Sequence, residues 1–497
     1  MVRKNNNTIQ AFWVAIGSFS SFALAIVSAA ILSRYFDKNE YGTYRQILFV
    51  YNTLIVIFTA GLPSVFAYFL PRYNLGQGKD IVWKVSKALF FFGLIFSVFL
   101  FTSSGLIADV LKNPELSKGI KIFSPIPMLL LPTLGIEGIF STYKKSIFIA
   151  IYNTLSRILM LLFIVLPVIL FKRTYIYAIY GWIIVSVIVL IIAYFFKGIP
   201  FKGISLEKSN LSFKDIFKYC TPLLTASIAG MAFYAANQFY ISRFFGTKIF
   251  AEFSNGFVEI PFVKMITGAT GTILMPIFSK AIYEKSNLNQ ITSLWQNALQ
   301  KSAILIYPMV IFFLFYSTEV ITILFSNTYA ESAKYFSTIM ILNFFNIILF
   351  SPLLLSLGEV RFYARLNYCL AIAIWFLDYL VIITFGTPIL VVLCYVIISV
   401  CGIGVALWYS SKKLGIPFLK MFPIGRIFTI AFHSLISLSI INLILRFALP
   451  HSPKLILLIL AFIGYVILLT VSARWFKINY WEILSPLFNR PKESQVE

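Results

Sequence analysis

Arg157 stands in the middle of an apolar run, IFIAIYNTLSRILMLLFIVLPVILF from Ile147 to Phe171. An ionised side chain at the centre of a lone membrane helix costs about 2.5–3.5 kcal/mol on insertion scales, so it requires a partner or a watery cavity. Asn153, four residues earlier, shares its helical face, and Ser156 extends the polar stripe. Lys264 lies in the middle of another apolar run, with Thr267, Gly268 and Gly271 along one face. Asn237, between Tyr234 and Gln238, and Asn343 with Asn346 add amide donors in two further runs. Cations at mid-depth suit an anion, since Arg holds two phosphate oxygens in its planar fork and Lys supplies a point charge. Amides and aromatics beside them suit a sugar, so a lipid-linked diphosphate oligosaccharide is a permitted substrate.

Three carboxylates inside the runs have competing readings. Glu137 is a possible counter-ion for Arg157, while Glu259 lies about 140° round the helix from Lys264 and is a poor partner for it, unless Pro261 bends the backbone between them. Asp378 is either paired with a neighbour or a cation or proton site. These three are the candidate ion-coupling groups. Arg34 and Arg243 stand at the ends of runs, where interfacial anchoring competes with a substrate role.

Catalysis finds no support. The sequence has no GxSxG, HExxH or Walker A pattern and no segment between runs long enough for a catalytic domain. His433 and His451 are the only histidines, read as a packed helix residue and a solvated loop residue. Cys220, Cys369, Cys394 and Cys401 show no CxxC spacing, which argues against a zinc site or disulfide framework. No cofactor, metal or catalytic residue is expected, and the protein is read as a non-enzyme.

The elements that must position these residues are long helices. Runs near twenty apolar residues can span about 30 Å of hydrocarbon at 1.5 Å per residue. Fourteen are present, at about 11–33, 46–70, 86–108, 121–142, 147–171, 175–196, 215–241, 254–279, 297–317, 335–357, 362–384, 388–410, 426–447 and 454–475. The stretch LSRYFDKNEYGTY, Leu32 to Tyr44, returns as ISRFFGTKIFAEF, Ile241 to Phe253. Ser33-Arg34-Tyr35-Phe36 lies opposite Ser242-Arg243-Phe244-Phe245, and Tyr41 and Tyr44 opposite Phe250 and Phe253, each copy following a run rich in small residues. Such a duplication marks transporters built from two like lobes.

The expected fold is therefore all-α: a polytopic membrane protein of about 14 transmembrane helices in two pseudo-symmetric six-helix lobes plus two C-terminal helices. The lobes are read as residues 1–200 and 201–414, divided in the polar segment Lys197–Lys214, with 415–497 holding the last two spans and a cytoplasmic tail. The segment Thr318–Lys334 is too short and polar to cross and is read as a short interfacial helix on the outer side.

Composition agrees. A chain that is 60% hydrophobic and 12% charged cannot present a polar surface on the scale of its length. Its net charge of +23 would suggest nucleic acid in a soluble protein, but here Lys and Arg sit mostly in short segments between apolar runs. The termini and the segments after even-numbered runs hold the larger share, which places both ends in the cytoplasm and names anionic lipid headgroups, not nucleic acid, as partners.

LSRYFDKNEYGTYRQILFVYNTL from Leu32 to Leu54, GLPSVFAYFLPR from Gly61 to Arg72 and VITILFSNTYAESAKYF from Val320 to Phe336 resemble the bacterial oligosaccharide and O-antigen flippases. These form the polysaccharide-transport branch of the multidrug/oligosaccharidyl-lipid/polysaccharide (MOP) exporter superfamily. The resemblance implies two six-helix lobes alternating between inward and outward openings in the bacterial inner membrane. They would carry an undecaprenyl-diphosphate-linked unit of O-antigen, capsule or exopolysaccharide, with polysaccharide polymerase or ligase machinery as further partners. By analogy with related lipid II flippases it assigns Arg34, Arg157, Arg243 and Lys264 to a cationic cavity and the last two helices to a lipid-tail groove. Rivals are a lipid II flippase, a multidrug or cation antiporter, and a membrane polymerase or ligase. The antiporter branch usually carries an acidic residue in the first span, and this one holds none.

Overall fold

A computed structural model describes residues 7–171, 174–258, 260–284, 288–450 and 452–480. Glu259 and His451 therefore lie outside the described residues. The described chain is helical: α1 (Asn7–Tyr35), α2 (Lys38–Phe58), α3 (Ser64–Phe69), α4 (Leu75–Val110), α5 (Glu115–Phe123), α6 (Ile126–Leu130), α7 (Ile136–Thr142), α8 (Ile147–Leu170), α9 (Tyr175–Gly198), α10 (Phe213–Gly256), α11 (Pro261–Tyr283), α12 (Leu288–Phe315), α13 (Ser317–Phe325), α14 (Ser332–Leu342), α15 (Phe350–Ser356), α16 (Val360–Phe385), α17 (Pro388–Leu414), α18 (Ile424–Ala448) and α19 (Lys454–Ser472). Helices satisfy their own backbone polar groups, which is why apolar runs in a bilayer fold this way.

Among the described residues eleven helical stretches are long and apolar enough to cross a membrane, with α5, α6 and α7 together making one of them. The remaining three runs of the sequence reading are also helical but interrupted. The 46–70 run breaks between α2 and α3, the 254–279 run between α10 and α11, and the 335–357 run between α14 and α15. Large apolar side chains such as Phe91, Phe101, Ile191, Phe195, Phe447 and Val471 stay exposed, as lipid-facing surfaces require. This is a multi-pass membrane protein. Thr318–Lys334 forms no span and contains α13.

Contacts divide the chain into two compact units, one of residues 1–254 with 371–391, the other of 255–370 with 392–497. In the first, α1 packs along α8 and α8 along α9. The small residues of α1 permit this, because a Cβ on Gly17 would meet the Ala150 Cα at 2.9 Å. At the other end Leu62, Val65, Phe66, Ile81, Val85, Ile139 and Cys220 form a buried core.

α4 has 36 residues and measures about 54 Å at 1.5 Å per residue, longer than the hydrocarbon layer. Its N-terminal turns receive the polar segment before α10. The Glu207 carboxylate accepts from Asn74 Nδ2 at 2.8 Å, Lys79 Nζ donates to the Ile204 carbonyl at 2.8 Å, and Asp80 accepts from the Ser209 N–H at 2.9 Å and hydroxyl at 2.6 Å. What reads as a solvated linker is strapped to α4.

The repeat has a structural counterpart. Asp37, between α1 and α2, caps α2, its Oδ1 accepting from the N–H groups of Asn39 at 2.7 Å and Glu40 at 2.9 Å. At the matching register of the second copy, Gly246 interrupts α10 with φ +77° and ψ −179°, backbone that glycine alone adopts without strain. The two copies meet inside the first unit. Lys38 pairs with Glu252 at 2.5 Å, Thr247 Oγ1 donates to Asn39 Oδ1 at 2.9 Å, and Gln46 Nε2 donates to Ser242 Oγ at 2.7 Å. Tyr41, Tyr44, Phe250 and Phe253 are all buried there.

In the second unit α12 packs on α18, α11 on α15 and α18 on α19. His433 is fully buried, with Nε2 2.8 Å from Ser472 Oγ and its ring 4.5 Å from that of Phe476, a packed histidine as the sequence suggested.

Candidate functional site

A cavity of about 600 Å³ opens within the first unit, lined from α1, α2, α7, α8 and α9. α1 contributes Ser18, Ser21, Ala25 and Ser28, one helical face of small residues that leaves room beside the backbone. α8 contributes Asn153, Ser156 and Arg157, the stripe expected from the sequence. Arg157 is exposed to this space. Its side chain reaches Met160 Sδ at 4.0 Å, and among the described residues no carboxylate pairs with it. The Glu137–Arg157 pair considered from the sequence does not form. Glu137, at the start of α7, accepts instead from Asn153 Nδ2 at 2.9 Å, because Asn153 is one turn nearer the α7–α8 connection.

Sequence reading missed Arg45, which lines the same cavity and donates to the Ser254 carbonyl at 3.1 Å. Tyr41, Tyr44, Arg45, Leu48, Tyr51 and Asn52 recur at helical spacing along α2, and all six face the cavity. That period was the available signal, masked because Arg45 precedes the apolar run. Trp182 and Tyr152 complete the aromatic lining, with Trp182 Nε1 donating to the Tyr44 hydroxyl at 2.8 Å. Two cations against one engaged carboxylate leave this cavity basic.

A second cavity, of about 290 Å³, lies within the second unit. Lys264, Thr267, Asn343, Asn346, Ser351 and Tyr395 are its polar lining. Lys264 is not mid-helix as expected. The 254–279 run breaks before Pro261, whose fixed φ and missing N–H suit the first helical position, so Lys264 falls in the first turn of α11. That turn contains no acidic residue. Asn343 and Asn346 sit where α14 ends, and Asn346 Nδ2 donates to Asn343 Oδ1 at 2.9 Å.

Other expected site residues lie elsewhere. Arg34 turns back along α1 and donates to the Ala30 carbonyl at 2.7 Å, and Arg243 donates to the Val110 carbonyl at the end of α4. Neither lines the two cavities. Asn237 on α10 is fully buried and donates to the Val391 carbonyl at 2.8 Å, leaving its Oδ1 without a partner. Asp378 on α16 is also fully buried, and neither carboxylate oxygen meets a donor. Asn237 is three residues before Tyr240 and Asp378 three after Trp375, and the Tyr240 hydroxyl donates to the Trp375 carbonyl at 2.9 Å. No group of three or more His, Cys, Asp or Glu suited to a metal occurs among the described residues.

Several solved structures share this fold. A lipid II flippase MurJ in an inward closed conformation is 16% identical, with 93% of this chain and 99% of that one covered at TM-score 0.68. An inward-facing multidrug resistance MATE family transporter of the MOP superfamily is 12% identical, covering 80% and 94% at TM-score 0.63. A MOP superfamily transporter from Pyrococcus furiosus is 12% identical, covering 82% and 94% at TM-score 0.58. No curated protein matches the chain significantly by sequence. A family model described as "Polysaccharide biosynthesis protein" matches residues 31–334, more than half of the chain and inclusive of both repeat copies, so the chain belongs to this family of polysaccharide biosynthesis proteins.

Proposed function

We propose that this protein is a flippase that moves an undecaprenyl-diphosphate-linked oligosaccharide across the bacterial inner membrane by alternating access, with both termini cytoplasmic. The observation that carries the reading is a basic, hydroxyl- and amide-lined cavity in each unit, with Arg157 and Lys264 on membrane-spanning runs. Among the described residues Arg157 has no carboxylate partner, so its charge favours an anionic guest. Lys264 stands in the opening turn of α11, where the positive end of the helix dipole adds to its own charge and favours an anionic guest. The aromatic and amide lining around Arg157 suits the glycan. An apolar groove between α12 and α18, lined by Ile311, Leu314, Phe315, Phe428, Phe432 and Leu435, suits the polyprenyl tail. Arg34, Arg243, Asn237 and Asn343 belong to the wider set of candidate contacts, and polymerase or ligase machinery would receive the product.

Coupling is assigned to Asp378. A buried carboxyl with two unmatched oxygens must be protonated or neutralised by a cation, and Asn237 Oδ1 is a second unmatched acceptor on the neighbouring helix. Glu137, engaged by Asn153, and Glu259 are the weaker coupling candidates.

The test replaces Arg157 and Lys264 by Gln in a strain that depends on the protein. Export should fall at least tenfold, on the order of one lost charge-assisted contact. Lipid-linked oligosaccharide should accumulate in the inner leaflet while the variant stays in the membrane. Unchanged export at normal protein levels would sink the proposal. The MurJ likeness over nearly the full length supports a second reading, a lipid II substrate. Rescue of a strain lacking its lipid II flippase would favour that reading over the glycan one.

A further inference from the structure

We propose that the small pocket around Lys197 is a binding site for a phosphate group, supplied by the headgroup of an anionic phospholipid. Lys197, in the last turn of α9, is only 3% exposed. Its ammonium donates to Ser86 Oγ at 3.0 Å and the Pro132 carbonyl at 2.6 Å and lies 5.2 Å from the Phe66 ring centroid. All of these are neutral, and no carboxylate pairs with Lys197 among the described residues. A buried ammonium needs a counter-charge if it is to stay ionised. The acid on the first turns of α4 is committed, because Asp80 is bound by Ser209 and paired with Lys84 at 3.1 Å.

Beside Lys197 is a cavity of about 30 Å³, lined also by Lys79, Trp83 and Tyr194. That is room for an atom group the size of a water molecule. Lys79 is held at its edge by the strap, through the Ile204 carbonyl at 2.8 Å. Trp83 is 47% exposed and stacked on Tyr194 at 5.7 Å, the amphipathic pairing found at headgroup depth. A phosphate oxygen entering past Trp83 would give Lys197 the counter-charge the protein withholds. Lys79 would take a second oxygen.

The full-length protein in detergent is titrated with phosphatidylglycerol, phosphatidylcholine or inorganic phosphate at matched ionic strength, following the unfolding midpoint and retained lipid by native mass spectrometry. Phosphatidylglycerol should stabilise and phosphatidylcholine should not. Lys197→Met should weaken half-maximal stabilisation by about tenfold. Lys197→Arg should retain it, and Lys79→Gln, at a half-buried position, should weaken it in a chain that folds. Inorganic phosphate matching phosphatidylglycerol would keep the phosphate site but make the free anion its source. An identical phosphatidylglycerol response in wild type, Lys197→Met and Lys79→Gln overturns the proposal, as does equal stabilisation by the two lipids.

Discussion

Glu40 sits in the first turn of α2, where burial, and then the neighbouring Asp37 carboxylate, push its pKa up from 4.5 to about 7. A carboxyl whose folded pKa is raised binds its proton more tightly when folded. Its contribution to stability is therefore fully present below about pH 4.5 and lost as pH rises toward 7. Glu40→Gln should flatten the fall in unfolding midpoint across that window, and a slope equal to that of wild type would exclude this origin. Asp378 is the second residue whose surroundings make a demand. Asp378→Asn, which cannot exchange a proton or balance a cation, should cut gradient-driven export at least tenfold, on the order of one lost charged interaction. Its level in the membrane should not fall. Export that still follows an imposed gradient in Asp378→Asn would remove the coupling role. Asp378 and Arg157 were both legible as charges inside apolar runs, but whether a counter-charge meets them was not. The sequence offered Glu137 to Arg157, whereas in the fold Asn153, one turn nearer the α7–α8 connection, takes it.

Helix breaks carry the next level of organisation. Asp37 and Gly246 occupy the same register of the repeat and mark the helix break in each copy by different means, a side-chain cap on the helix that follows and a glycine at positive φ. Asp37→Ala should cost about 1 kcal/mol. Gly246→Ala, forced into positive φ, should cost about 1–3 kcal/mol. Thermal unfolding in detergent would read both, and equal stability of Gly246→Ala and wild type would show that the break at 246 is not required. The repeat was visible in the sequence, whereas the break in its second copy was not, because one glycine between two apolar runs does not by itself announce a positive φ. The strap on α4 was hidden for a related reason. Polar residues between spans read as solvated, and only the excess length of α4 provides a surface on which Glu207 and Ser209 can dock.

At the scale of the molecule, the duplicated stretches are packing partners as well as relatives. Lys38 of the first copy pairs with Glu252 of the second, and both are largely shielded from solvent. Lys38→Glu should destabilise by leaving two carboxylates face to face, and adding Glu252→Lys should restore most of the loss. A double-mutant cycle in unfolding midpoint with no coupling term would place the pair among the ion pairs of little consequence. By itself the sequence determined that this is an all-helical, multi-pass membrane protein of the polysaccharide biosynthesis family. Hydropathy and repetition are properties of the chain read along its length, and a bilayer admits few folds for such a pattern. Tertiary structure alone decided which polar side chains share a space. It gathered Arg45 with Arg157, set Lys264 at the head of a helix, and turned Arg34 and Arg243 onto backbone carbonyls. Such meetings depend on the rotation and tilt of packed helices, and a hydrophobic run of the right length leaves both free.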